Sequence, residues 1–237
     1  MKTLLPLLIV AVLACSAQAA VKHDGFDTIL KRYVSGGAVR YADIRDHAKF
    51  DLYAYLDYLA NTDVSLLSRD EQLAYYINLY NATVIKGMIE RWHDGYSPAE
   101  KDFQLFKDPL VNLAGGRSMS LNDLENKLIR PTFKDPRVHV ALVCGAKSCP
   151  PLLSRAYQAE DLNDTLDANM KRFVNDSSRN SIDRDKKTAS LSKIFDWYAD
   201  DFGGKARVAG YISKYLDGPG IEGFAVEFKE YDWSANS

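Results

Sequence analysis

Apolar positions in this chain recur mostly every three to four residues, with only brief runs of two-residue alternation, so helices are expected to dominate. The clearest helix opens at Ser68-Arg69-Asp70-Glu71. This is a capping box, in which the serine hydroxyl and the glutamate carboxylate satisfy each other's free backbone N–H groups. The helix is predicted to run to about Trp92, with Leu73, Ile77, Tyr80, Val84 and Met88 on one stripe. Asn81 falls beside that stripe and Asn78 farther round, between Ile85 and Ile89, so two amides sit in a mostly apolar arc. They are either core residues bonded to backbone or residues that hold a functional loop.

A second capping box, Ser120-Leu121-Asn122-Asp123, predicts a helix to about Arg130 with Leu121, Leu124, Leu128 and Ile129 on one face. Glu125 projects inside that apolar sector, about 40° from Leu121 on a wheel of ~100° per residue. A carboxylate there needs a partner, because burying an unpaired charge costs several kcal/mol. A salt bridge to Arg130 or Arg137 is the structural expectation. Further helices are expected around Phe26–Tyr33, over Phe50–Ala60, through Leu162, Leu166, Met170 and Phe173, and in two closing segments, Phe195–Phe202 and Val208–Leu216. Ala38–Tyr41, Val138–Val143 and Lys187–Ser192 read as short strands. The fold class is therefore α+β: a single, mainly helical domain with a small, short-stranded sheet.

Composition narrows the function classes. The 237 residues carry 30 Lys+Arg against 32 Asp+Glu and are 46% hydrophobic, which excludes a disordered chain and supplies no basic field for nucleic acid. No nucleic-acid partner is expected. The first residues, MKTLLPLLIVAVLACSAQAA, combine Lys2, an apolar run and an Ala17-Gln18-Ala19 cleavage site. They read as a signal peptide over 1–19, followed by one domain over 20–237, with no transmembrane segment in the mature chain. Val12-Leu13-Ala14-Cys15 approaches a lipobox, so a lipid anchor at Cys15 is the competing processing route. Either route implies a periplasmic or secreted protein in an oxidising compartment. Removal of the leader leaves Cys144 and Cys149 as the cysteines of the domain.

Both lie in Asp135–Leu152, DPRVHVALVCGAKSCPPL, where an expected buried strand runs into a Gly/Ser/Pro loop. Three readings of this loop stand open. Cys144 and Cys149 form a disulfide; or Cys144 is a nucleophile activated by His139, with Glu125 orienting the imidazole; or both thiols are buried structural residues. On an ideal strand His139 and Cys144 point to opposite faces, so the second reading requires a bulge or an early strand end. Ligands spaced C-x4-C with one histidine lack the close pairs of structural zinc sites, so neither a metal nor a cofactor is expected. His23, His47 and His93 read as surface residues.

The segments DEQLAYYINLYNATVIKGMI (70–89), SLNDLENKLIR (120–130), DPRVHVALVCGAKSCPPL (135–152), LSKIFDWYADDF (191–202) and YDWS (231–234) resemble the signatures of the DUF547 family, a domain of unknown function. The resemblance implies that Asn78, Asn81, Glu125, His139, Cys144 and Ser148 occupy motif positions. It also implies that Ser can stand where this chain has Cys149, which favours Cys144 as the functional thiol. Histidine precedes cysteine here, the reverse of the order in papain, so the link to thiol proteases is one of analogy. The reading is an exported cysteine-dependent hydrolase or acyltransferase using Cys144, His139 and Glu125, with Asn78, Asn81 and Ser148 in binding roles. Its alternative is a non-catalytic envelope module with a Cys144–Cys149 disulfide-locked loop. The expected partner is a small molecule or peptide of unknown identity.

Overall fold

The computed structural model describes residues 20–237; the expected signal segment 1–19, with Cys15, lies outside the described residues. Helix α1 (Asp24–Tyr33) leads through a two-residue hairpin, β1 (Val34–Ser35) and β2 (Ala38–Val39), into α2 (Tyr41–His47) and α3 (Lys49–Ala60). At the hairpin, Gly37 has φ +92°, and a Cβ there would sit 2.5 Å from Pro151 Cβ, so only glycine lets the turn meet that proline. Helix α4 (Arg69–Arg91) opens with the capping box expected from Ser68 and Glu71. It is buried along most of its length, which explains why apolar and aromatic residues occupy more than one of its faces. Helices α2 and α3 pack on it and α1 packs on α3, enclosing Leu30, Ile44, Leu52, Tyr75, Ile77 and Ile85.

Beyond α4 come α5 (Glu100–Lys107) and the hairpin β3 (Val111–Leu113)–β4 (Arg117–Met119). The next helical rod changes pitch: α6 (Leu121–Asp123), a π-helical stretch over Leu124–Ile129, and α7 (Arg130–Phe133). The 3-10 turn Pro136–Val140 follows, then α8 (Leu162–Val174). A three-stranded sheet pairs β5 (Ser181–Asp183) antiparallel to β6 (Thr188–Leu191) and β6 parallel to β7 (Ala225–Phe228). Between β6 and β7 lie α9 (Ile194–Trp197), the 3-10 turn Ala199–Phe202 and α10 (Val208–Ser213). Met170, Phe173, Leu191, Phe195, Phe202 and Ile212 form a second apolar cluster there. The fold is α+β and mainly helical, as the hydrophobic pattern indicates.

Two expectations need correction. Val138–Val143 is not a strand: Asp135 accepts a hydrogen bond from the Arg137 N–H at 2.9 Å and Pro136 follows it, so a cap and an N1 proline start a 3-10 turn despite the β-branched residues. Nor is His23 on the surface. It is 3% exposed, with Nδ1 2.7 Å from the Tyr55 hydroxyl, and burial lowers its pKa to about 4 against the opposing pull of Asp24. Among the described residues no helix is long and apolar enough to cross a membrane.

Candidate functional site

The buried amides on α4 come first, because they shape everything around the cysteine loop. Asn81 donates from Nδ2 to the Ala141 carbonyl at 2.9 Å and accepts from the Val143 N–H at 2.9 Å. Asn78 makes the same two-way bond with Tyr157, 2.8 Å to its carbonyl and 2.9 Å from its N–H. Each amide thus replaces a strand partner for backbone that has none. Each amide commits one donor and one acceptor in this way and is buried, so both position the loop. Ser148 also bonds locally: its Oγ accepts from the Asp232 N–H at 2.9 Å, and its own N–H donates to the Asp232 carbonyl.

That contact belongs to a strap. Residues 231–236 run along the cysteine loop, with Lys147 N–H donating to Ser234 O at 2.8 Å and Asn236 N–H to Gly145 O at 2.9 Å. Gly145 has φ +82°, and a Cβ there would crowd Met88 and the Tyr41 hydroxyl, so its conformation and its surroundings both call for glycine. The strap carries Tyr231 and Trp233 against Trp197, with ring centroids 4.7 and 5.9 Å away. Arg179 holds the loop from the other side through the carbonyls of Lys147 and Cys149.

The loop and strap border a half-open cavity of about 60 Å³ that Glu125, His139, Cys144 and Cys149 all line. Cys144 and Cys149 are joined by a disulfide, with Cα atoms 6.1 Å apart, and the Tyr231 hydroxyl is 3.3 Å from Cys144 Sγ. In this state Cys144 has no thiol. Because residues 136–140 are a turn and not a strand, the alternation that would point His139 away from Cys144 does not apply, and the two side chains border one space.

His139 has a partner that the sequence reading missed. Its Nε2 lies 2.7 Å from Asp201 Oδ2, which also accepts from Arg130 Nε at 2.7 Å. The hydrogen bond from His139, joined by the one from Arg130, holds the Asp201 carboxyl far below the usual carboxylate range despite partial burial. An ionised carboxylate only accepts, so Nε2 carries the hydrogen and a neutral His139 keeps its lone pair at Nδ1. The imidazole is stacked on Tyr198 at 3.9 Å. The expected orienting residue, Glu125, does not bond to it. Glu125 is 7% exposed and accepts from the Tyr80 hydroxyl at 3.2 Å, while the arginines proposed for it pair elsewhere, Arg130 with Asp201 and Arg137 with Asp135. Burial and then the charge of Glu125 push the phenols of Tyr80 and Tyr198 up. A π-helical turn, a feature concentrated at functional sites, carries Glu125.

Residues 64–174 match the model of the DUF547 family, described as a protein of unknown function. These residues belong to DUF547. The DUF547 segment supplies Asn78, Tyr80, Asn81, Glu125, His139 and both cysteines, whereas Trp197, Tyr198, Asp201, Tyr231 and Trp233 come from outside it. No curated protein and no solved structure matches the chain. The signal for Asp201 was a pair of acids, Asp200-Asp201, inside the otherwise aromatic and apolar run Ile194–Phe202. Among the described residues no group of three or more His, Cys, Asp or Glu side chains is arranged to hold a metal.

Proposed function

We propose that this chain is a cysteine-dependent hydrolase or acyltransferase whose nucleophile, Cys144, rests as a disulfide with Cys149. The observation that supports the reading most is the Asp201–His139 pair, which fixes the imidazole tautomer at a cavity that Cys144 also borders. A dithiol reductant supplies two electrons and two protons, giving two thiols. His139 Nδ1 then accepts the Cys144 proton, and the thiolate attacks a substrate carbonyl. The imidazolium returns the proton to the leaving group, and water or a second nucleophile cleaves the thioester. Arg130 and Asp201 hold the imidazole, and Glu125 shapes the space beside it.

After reduction, Cys144 should alkylate with iodoacetamide at pH 6 faster than a free thiol with pKa ~8.5, and His139→Ala and Asp201→Asn should slow it. Equal labelling of Cys144 and Cys149, indifferent to both variants, would defeat the catalytic reading. The disulfide itself favours a second reading, a non-catalytic envelope module with a locked loop. A reduced protein that labels no faster than a model thiol selects that one. Export to a periplasmic or extracellular space belongs to both readings and rests on the leader motif. Intact mass from the native host tests it: a chain still starting at Met1 excludes cleavage, and a diacylglycerol increment on Cys15 selects the lipid anchor.

A further inference from the structure

The cavity beside the disulfide has an unusual chemical lining. Tyr80, Tyr198, Tyr231, Trp197 and Trp233 supply five aromatic rings, and Glu125 supplies a carboxylate more than nine-tenths buried. No lysine or arginine lines it. Arg130 pairs with Asp201 and lies 4.9 Å from the centroid of the Tyr198 ring, which also stacks on His139 at 3.9 Å, so the other four rings remain to meet a ligand; Arg179 is engaged on Asp176 and the carbonyls of Lys147 and Cys149. Asp201 is matched by His139 and Arg130, which leaves Glu125 with a phenol hydroxyl and no cation at salt-bridge distance among the described residues.

A buried negative charge with no cation at salt-bridge distance is costly, and ring faces attract cations. At ~10–15 Å³ per water-sized position, a cavity of about 60 Å³ takes roughly four to six such groups, the size of a compact ammonium head and too small for a sugar ring. Trp197, 46% exposed, stands at the rim, where the rest of a larger ligand can leave. We infer that this cleft binds an organic ammonium group, seated among the aromatic rings with Glu125 as its counter-ion. As a substrate class the inference rests on the enzymatic reading; as a binding site it does not, because the cage is complete with the disulfide formed.

The test therefore uses the oxidised protein and no activity. Tetramethylammonium chloride is titrated while tryptophan fluorescence is followed, against tert-butanol as the neutral isostere and sodium chloride at matched ionic strength. Tetramethylammonium should bind about tenfold or more tightly than tert-butanol, and Glu125→Gln should remove that preference while leaving the far-UV spectrum unchanged. Should Glu125→Gln fail to fold, Trp197→Ala, at the exposed rim, should weaken tetramethylammonium binding several-fold. Equal binding of the two probes, no saturable response to tetramethylammonium, or affinity untouched in the folded variant overturns the inference. Ammonium binding without thiol activation would leave the cage standing and sink the enzyme; the reverse result would do the opposite.

Discussion

Two buried histidines in this molecule sit in similar darkness and different company. His23, in the helical core beside Phe26 and Tyr55, has a phenol hydroxyl as its polar partner, and desolvation holds its pKa at about 4. His139, equally buried, faces a carboxylate held ionised by the hydrogen bond from His139 and by Arg130, and it borders a cavity with a disulfide and a second carboxylate. A neutral partner satisfies an imidazole and leaves it inert. A charged partner fixes which nitrogen carries the proton and so prepares the other for chemistry. Burial alone does not distinguish the two; the bonded neighbour does.

The contrast predicts that the two corners fail in separate pH windows. Below about pH 6.5 the unfolded chain protonates His23, which the folded chain resists until about pH 4. Stability should therefore fall by about 3 kcal/mol between those values and then become independent of this group. Urea melts at pH 7, 5 and 4 measure it, and His23→Gln should flatten that part of the profile. Asp201 acts in the same direction but in a lower window. Its depressed value lends stability above about pH 4 that is lost only as pH falls further. An unbroken decline in His23→Gln identical to wild type would erase the distinction.

Reduction should touch only the second corner. Opening a cross-link between residues five apart is expected to destabilise by about 2 kcal/mol on loop-closure grounds, leaving the window between pH 6.5 and 4 unchanged. Melts with and without a phosphine reductant compare the two slopes directly. The smallest expected effect belongs to Asp201→Asn, about 1–2 kcal/mol at pH 7, since His139 and Arg130 lose a charged acceptor that is itself 31% exposed. The variant should also lose the acid-induced decline below about pH 4. A change there with none at neutral pH would mean that Arg130 and His139 find other partners.

Much of this architecture was legible because short-range signals set it. Ser68 and Glu71 announced α4, Ser120 and Asp123 the next rod, and the helical spacing from Leu162 to Phe173 announced α8. The run Val138–Val143 is β-branched but follows Asp135-Pro136, a cap and N1 proline that start a turn and override the strand preference. Glu125 was correctly placed inside, since the pitch change begins only one residue before it. What local pattern could not supply were the long-range partners: Asp201 for His139, 62 residues on, and Tyr80 for Glu125, 45 residues back. The placement of His23 failed for the same reason, because Tyr55 reaches it across the packing of α1 on α3.

The strap gives the cleft a place in time. Asn236 bonds the Tyr41 hydroxyl across 195 residues, and Tyr231 and Trp233 wall a cavity whose other sides come from residues 80–198. As the polypeptide leaves the ribosome, α1 to α4 can pack on one another from local contacts, but the aromatic wall is missing until residues 231–236 have been made. Cys144 and Cys149 are therefore made well before their cover, and the loop stays uncovered until residues 231–236 dock on it.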